Sequence, residues 1–351
     1  MHDIAAEATS LIGSEPIPQR ENIGLRNLAN GLIAVVLVVT ALRVTFPIAM
    51  PLAFAAVIIA AAWPIKPWLS RILPPWASYA CTLLILIGVL AAFGAAIYFA
   101  SAQAVQSLAS NAARFDRVYG EFVGWAARYG VPLDQVGDRR IVAAAQTLLA
   151  NAYTVMVYLG FIIVLVAFGL PEVAALRAKL RKELETSTRL KVLDSAEEIA
   201  DKIRRYLGVT LATSLLTGIA TAAWSYAIGV ELALTWGVLN FLLNFIPVVG
   251  NIIGIVPPTL YALIQFGDPT MALVAFVGFA VIQLVISNFI YPLLQGHSLA
   301  LSPIGIVVSL AFWSWLWGIG GALIAIPLTA ALVIVCDHFD NTRWLSKILS
   351  R

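Results

Sequence analysis

Charged residues are scarce in this sequence, and their scarcity defines the broad class of the protein. Of its 351 residues, 12% are charged and 61% are hydrophobic, whereas a soluble domain carries roughly 25% charged residues. The mean hydropathy of +0.90 and a series of long apolar runs therefore predict an all-α, multi-pass membrane protein whose surroundings are the lipid bilayer. The net charge of +3 is too small, and its basic residues too localised, to indicate nucleic-acid binding.

Cysteines and catalytic motifs are equally sparse. The two cysteines, Cys81 and Cys336, lie far apart in apolar segments, which argues against a disulfide framework or a metal cluster. The sequence has no GxxxxGK[ST] motif for an ATP-driven motor and no HExxH motif for a zinc peptidase. We therefore expect a protein that is not an enzyme and that uses no cofactor or metal.

Lysine and arginine are absent from the whole stretch between Tyr206 and Thr342. Basic residues collect instead at Lys66 and Arg71, at 172–205 and after Thr342. Loops rich in lysine and arginine stay on the cytoplasmic side of the membrane. The pattern therefore predicts a protein of the inner membrane with both termini in the cytoplasm.

The apolar runs and the charged stretches divide the chain into seven segments. Residues 1–27 are polar and mixed in charge, unlike a cleavable signal peptide, so they are predicted to form a cytoplasmic tail. Pro171 is well placed as the first residue of a new helix. The other segments are predicted to be N-terminal membrane helices at 28–100, extracytoplasmic amphipathic helices at 101–150, a membrane helix at 151–171, charged cytoplasmic helices at 172–206, a transport domain at 207–340 and a cytoplasmic tail at 341–351.

The C-terminal half contains two pairs of apolar segments that are short for membrane helices. The pairs lie at 232–266 and 302–336, and Pro247, Gly250 and Pro257 interrupt the first, although a full span needs about 20 residues. Broken helix at membrane depth survives only where it is buried in protein or lines a wet cavity. The sequence therefore predicts about eight membrane helices, together with two broken or re-entrant helical pairs.

A shift of 70 residues superposes the two pairs, matching Gly250 to Gly320 and Pro257 to Pro327. Each matched residue lies in the second arm of its pair. One ordinary span, 270–290, separates the pairs, so two re-entrant pairs would have to enter the membrane from opposite sides. This arrangement predicts an inverted repeat, which secondary transporters use around a site at the middle of the membrane.

Three stretches of this region form a specific set of motifs. They are LLNFIPVVGNIIGIVPPTLYALIQFG, VIQLVISNFIYPLLQGHSLALSPIG and GIGGALIAIPLTAAL. In order and spacing, the set resembles the C-terminal signature of the autoinducer-2 exporter family of bacterial membrane proteins, with a similar layout over roughly residues 25–340. The resemblance implies a polytopic permease that assembles as a homo-oligomer, a pentamer being one such assembly.

The resemblance also implies the type of function. It implies export of a small polar solute, such as an autoinducer-2-like signal, by a secondary or facilitated mechanism. Sodium–proton or other cation–proton exchange in the same fold is the alternative, with sodium or the proton as the coupling ion. A membrane scaffold without transport activity is a further hypothesis of a different class. Ser287 stands where many family members carry a carboxylate, which weakens a proton-coupled role at that position.

Uncharged polar residues within the apolar arms are the candidate site. Amide donors and acceptors without net charge suit a neutral, hydroxyl-rich solute, and backbone groups freed at proline and glycine breaks can add their dipoles. The same amides could instead hydrogen-bond between packed helices, and the breaks could be plain kinks. The predicted site or pathway residues are Asn244, Pro247, Gly250, Asn251, Pro257, Gln283, Asn288, Gly320 and Pro327.

Overall fold

The computed structural model of the chain confirms the all-α class. It describes residues 19–110, 138–183, 186–246, 249–295 and 302–338, together with single positions between 114 and 128. Every regular element within these described residues is a helix. Contacts divide the chain into two units, Met1–Ala49 and Met50–Arg351, and the features below belong to the second unit.

The helices are labelled in chain order. The first part of the chain forms α1 (Gln19–Val44), α2 (Phe46–Ala62), α3 (Ile65–Leu69), α4 (Pro75–Ser110) and α5 (Asp138–Glu183). The second part forms α6 (Thr186–Ala227), α7 (Ala233–Leu243), α8 (Val249–Ile253), α9 (Val256–Phe266), α10 (Pro269–Val285), a π-helical turn (Ile286–Ile290), α11 (Tyr291–Gln295) and α12 (Pro303–His338).

Six helical stretches in the described part of the chain are long and apolar enough to cross a membrane. They are Phe46–Leu69, Pro75–Ser107, Tyr153–Glu183, Val192–Ala227, Pro269–Gln295 and Pro303–His338. Shorter apolar helices occupy Ala29–Val44, Ala233–Leu243 and Gly250–Phe266. The predicted number of about eight membrane helices stays a prediction, because length and composition do not distinguish a crossing helix from a re-entrant one.

Pro171 lies inside a helix and does not begin one. Helix α5 continues through it as far as Glu183, and α6 likewise continues through residue 206. Proline removes one backbone donor, but membrane helices tolerate it where neighbouring groups satisfy the freed carbonyl. The predicted boundaries at 171 and 206 therefore mark changes in composition and not the ends of helices.

Helices α7 to α9 fold back on themselves and form what we call the first hairpin, Ala233–Phe266. At its open end, the backbone N–H of Glu231 donates to Gln265 Oε1 over 2.8 Å. The rings of Trp236 and Tyr261, one from each arm, have centroids 5.4 Å apart. The 11 residues of α7 rise about 16 Å, roughly half of the hydrocarbon thickness. This arm is therefore too short to cross the membrane by itself.

Helix α12 is also bent back on itself, and we call it the second hairpin. Trp317 and Gly318 leave the helical conformation, and Gly318 adopts a positive φ of 62°. The indole Nε1 of Trp313 donates to Thr329 Oγ1 over 3.0 Å, although a straight helix would separate these residues by about 24 Å. Both predicted short pairs are thus hairpins. Their relation as an inverted repeat stays a prediction.

Helix α6 is the element against which both hairpins pack. Gly218 of α6 and Gly237 of α7 bring the two backbones so close that a Cβ on Gly218 would lie 2.8 Å from the Gly237 carbonyl oxygen. Near the middle of α6, Tyr206 packs in a buried cluster with three residues of the second hairpin, Ile326, Ala330 and Val333. A change in the position of α6 would therefore alter its packing against both hairpins.

The turn of the second hairpin leads to a first prediction. A Cβ on Gly321 would overlap the backbone carbonyl of Trp313 in the facing arm, and backbone cannot rotate away as a side chain can. We expect Gly321→Ala to destabilise the folded protein by about 1–3 kcal/mol, the usual range for overpacking. Thermal unfolding in detergent measures this loss.

The matched control is Gly88→Ala, because Gly88 is also helical and has open space where its Cβ would lie. This change should leave the melting temperature the same or slightly higher, since alanine favours helix over glycine. Equal melting temperatures for the two variants would contradict the hairpin turn at Trp317 and Gly318.

Candidate functional site

A polar cavity lies beside the tip of the first hairpin. Its volume is about 150 Å³, which is enough for several water molecules. Its lining, among the residues that the structure describes, consists of Thr210, Thr213, Asn244, Asn251, Ile286, Ser287 and Tyr291. Six of these seven side chains carry a hydroxyl or an amide and none carries a charge, although most of the surface that faces the cavity is apolar.

Two carboxamides of the first hairpin supply the amide groups. Asn244 Nδ2 donates to Ser214 Oγ of α6 over 3.0 Å, and Asn251 Nδ2 donates to Ser287 Oγ over 2.7 Å. A carboxamide also has an acceptor oxygen, and the described residues contain no protein donor to either of these two oxygens. The bonds therefore fix the orientation of both side chains and leave acceptors for a solute.

The π-helical turn Ile286–Ile290 forms the opposite wall of the cavity. The backbone N–H of Tyr291 donates to the carbonyl of Ile286, five residues earlier, so one extra residue is inserted into the helix. Single π turns occur mostly at functional sites, because the extra residue redirects neighbouring side chains. Here Ile286, Ser287 and Tyr291 all line the cavity.

Three hydroxyls meet at one end of the cavity. The Thr210 hydroxyl lies near those of Tyr206 and Tyr291, although it does not reach hydrogen-bond geometry with either. Tyr206 is only 2% exposed. This cluster lies at the end of α6 that leads back to the charged residues 192–205.

A second group of amides holds the first hairpin together at a position outside the cavity lining. Asn240 Nδ2 donates to the Gly254 carbonyl of the facing arm over 3.0 Å, and its Oδ1 accepts a longer bond of 3.4 Å from Gln283 of α10. A Cβ on Gly254 would overlap the Asn240 carboxamide. Asn240 and Gln283 are both buried. They therefore link the two arms of the hairpin to α10.

The nine predicted site residues do not form one group. Asn244 and Asn251 meet in the cavity, and Gly250 belongs to the same turn because a Cβ there would overlap the Leu243 carbonyl. Gln283 belongs to the amide link, and the exposed Asn288 donates only to Leu284 of its own helix, over 3.0 Å. Pro247 lies outside the described residues.

The remaining predicted residues lie outside the described lining of the cavity. Pro257 lies in the first turn of α9, and Pro327 is buried within the second hairpin. A Cβ on Gly320 would overlap the sulfur of Met50 on α2. Of the described residues that line the cavity, none belongs to the second hairpin.

The sequence reasoning missed Thr210, Thr213 and Tyr291 as lining residues. A signal for the first two exists in the sequence, because hydroxyl residues recur every three or four positions along α6. They are Thr210, Thr213, Thr217, Thr221 and Ser225, and all are at most 2% exposed. A buried polar stripe of this kind on an apolar helix marks the face that meets protein and not lipid.

A multi-pass helical protein in which broken helices surround an uncharged polar cavity has the architecture of a membrane transporter. Residues 32–341 match the family described as "AI-2E family transporter". The chain belongs to this family of transporters, and this confirms the resemblance of its motifs to the autoinducer-2 exporters.

Individual relatives agree with this assignment. A protein of Haemophilus influenzae (strain ATCC 51907 / DSM 11121 / KW20 / Rd), named "Putative transport protein", is 28% identical over 336 residues, covering 92% of this chain and 96% of that protein. The AI-2 transport protein TqsA of Escherichia coli (strain K12) is 31% identical over 224 residues, 63% of this chain and 64% of TqsA. A protein of Borreliella burgdorferi (strain ATCC 35210 / DSM 4680 / CIP 102532 / B31) with the same name as the first is 33% identical over 226 residues, 62% of this chain and 61% of that protein. The match to the last two thus spans less than two thirds of their length.

The amide link generates a second prediction. In Asn240→Ala, the Gly254 carbonyl and the Gln283 amide would lose a buried partner, and such a loss costs about 1–3 kcal/mol. We expect a lower melting temperature and faster proteolysis of the first hairpin. In the control Asn288→Ala, a side chain that is exposed and bonded within its own helix is removed, so we expect a change within about 0.5 kcal/mol. Equal melting temperatures for Asn240→Ala and Asn288→Ala would show that the hydrogen bonds of Asn240 do not stabilise the fold.

Proposed function

We propose that this transporter exports a small, uncharged, hydroxyl-rich solute, which binds in the cavity beside the tip of the first hairpin. The single observation that carries the proposal is the chemistry of the lining, where six of seven side chains are polar and uncharged. Hydroxyls and amides can donate to and accept from a polyol or a hydrated furanone. A charged solute would lack a counter-ion there, and burying an unpaired charge is costly.

The name of one relative fits this solute class. TqsA is named as an AI-2 transport protein, and an autoinducer-2-like furanone is a small, neutral, hydroxylated molecule of the kind that the cavity would accept. We therefore propose this solute, or a polyol of similar size, as the cargo. A cavity of about 150 Å³ is of a size that suits a molecule of a few carbon atoms.

The two hairpins suggest how the cavity could open to each side of the membrane in turn. A full-length apolar stretch, Pro269–Gln295, separates them, so hairpins on either side of it would enter from opposite faces. That is the inverted repeat expected from the sequence, and it supports a secondary or facilitated mechanism. In this arrangement, each hairpin controls access from one face.

The lining favours solute export over cation–proton exchange as the primary activity. Exchange would call for a carboxylate at membrane depth, and the described lining includes none. Ser287 stands where many family members carry a carboxylate. Its hydroxyl, unlike a carboxylate, does not gain or lose a proton near neutral pH. Its hydroxyl accepts instead from Asn251.

Efflux from proteoliposomes tests the proposal. The purified protein is reconstituted, the vesicles are loaded with a radiolabelled furanone or polyol, and efflux is followed with and without proton or sodium gradients. In Asn244→Leu and in Asn251→Leu, one hydrogen bond to the solute is lost, worth about 0.5–1.5 kcal/mol. We expect each change to raise the half-saturating solute concentration about two- to tenfold.

Asn288→Leu is the matched control, because Asn288 lies on the π-helical turn beside the lining residue Ser287 but is itself outside the cavity lining. Its efflux should equal that of the unchanged protein. Sodium-dependent dequenching of a pH dye in the absence of solute would contradict export as the primary function. Normal efflux by Asn244→Leu and Asn251→Leu would exclude the cavity as the binding site.

A further inference from the structure

We propose that Tyr206 and Tyr291 form a thin gate that closes the cavity toward the charged end of α6, and that the second hairpin holds this gate shut. The proposal rests on the proposed function, since a gate has meaning only if the cavity binds a solute. It assigns a role to two residues that the sequence reasoning did not single out. It also gives the second hairpin a function, although that hairpin lines no described part of the cavity.

The two tyrosines lie where such a gate has to be. Tyr291 lines the cavity, and Thr210 lines it one helical turn beyond Tyr206 on the same face of α6. The Thr210 hydroxyl lies near both phenol hydroxyls. Tyrosine suits the position because its ring excludes water while its hydroxyl stays compatible with a polar neighbour. Together, the three side chains bring α6 and α11 into contact across the end of the cavity.

The layer that separates the cavity from the charged end of α6 is only one or two turns thick. Arg205 is exposed, and charged side chains of this kind mark the level of headgroups and water. Between Arg205 and Thr210, α6 rises about 7.5 Å. Within that distance, Tyr206 is the buried aromatic side chain on α6.

In the opposite direction, the distance from the cavity to the end of α6 is much longer. From Thr213 to Ala227, the end of α6, the helix rises about 21 Å, and the first hairpin packs along that length. Gly218 and Gly237 approach each other closely, and Thr217 and Thr221 are buried. Helix α6 is therefore tightly packed along this length. The cavity in this conformation is therefore much nearer to the charged end of α6 than to its other end.

The second hairpin packs against the Tyr206 side of the gate. Ile326, Ala330 and Val333 pack against Tyr206, with Ile306 of the other arm beside them. Movement of this hairpin would therefore free the Tyr206 ring. Tyr291 has a different freedom, because it follows the π-helical turn and precedes a proline, which donates no backbone hydrogen bond. A small rotation there would separate the two tyrosines.

Cysteine labelling tests the gate without any solute. Both native cysteines are replaced, Thr213→Cys is introduced into the full-length protein as a reporter in the cavity, and a small membrane-impermeant methanethiosulfonate reagent is added to one side of proteoliposomes. The side is identified by labelling of Arg205→Cys. We expect Tyr291→Ala to raise the labelling rate of the reporter at least tenfold from the Arg205 side, and to leave it unchanged from the other side.

Two variants separate the ring from the hydroxyl and guard against misfolding. Tyr291→Phe keeps the ring, so labelling should rise no more than two- to threefold. Tyr226→Ala removes an 82% exposed tyrosine from the other end of α6 and should change nothing. All variants are compared only where size-exclusion chromatography shows a single symmetric species.

The outcomes distinguish the gate from the proposed function. An unchanged labelling rate in folded Tyr291→Ala, or a rise from the side opposite to Arg205, would overturn the gate while solute efflux could remain normal. A tenfold rise together with no efflux of any furanone or polyol would support the gate and contradict the proposed solute class. Labelling thus reports on access to the cavity, and efflux reports on what the cavity binds.

Discussion

The constraint that shapes this protein is that a backbone N–H or carbonyl cannot be left unpaired in hydrocarbon. The chain breaks its helices at two places inside apolar sequence, after Leu243 and at Trp317, and each break frees polar groups. Both breaks are folded inward as hairpins, and side chains of one arm bond to the other, as Asn240 does to the Gly254 carbonyl. Bonds between the arms therefore pair part of the polar groups that the breaks free.

The same constraint explains why the polar cavity lies where it does. A broken hairpin tip, a π-helical turn and a stripe of hydroxyl residues on α6 come together, and each brings polar groups that would be costly in lipid. Together they satisfy part of one another's hydrogen bonding, as in the pair Asn251 and Ser287. What remains is a set of uncharged donors and acceptors around a small space. That remainder is the basis for assigning a neutral, hydroxylated cargo.

The sequence predicted the local features of this structure better than the contacts between them. Hydropathy and the pattern of glycine and proline located both hairpins, where Gly250 and Gly321 each approach the backbone of the facing arm. Asn244 and Asn251 were predicted and do meet in the cavity. Each of these inferences used neighbouring residues along the chain.

The surroundings that the sequence did not predict depend on distant partners. Gln283 and Asn288 are five residues apart on one continuous helical stretch, yet one is buried against Asn240 and the other is exposed. The π-helical turn between them changes which face is buried, and no simple period in the sequence reveals it. Tyr206 likewise marks the predicted boundary of the charged segment 172–206, and only its packing against the second hairpin shows that its ring is buried in the protein.

The most direct test of the account is a cryo-electron microscopy structure of the protein in lipid nanodiscs with a saturating concentration of the transported furanone or polyol. The account predicts solute density in the cavity, within hydrogen-bond distance of about 3 Å of the Asn244 and Asn251 carboxamides. Density located only between subunits or along the second hairpin, with the cavity empty, would contradict it.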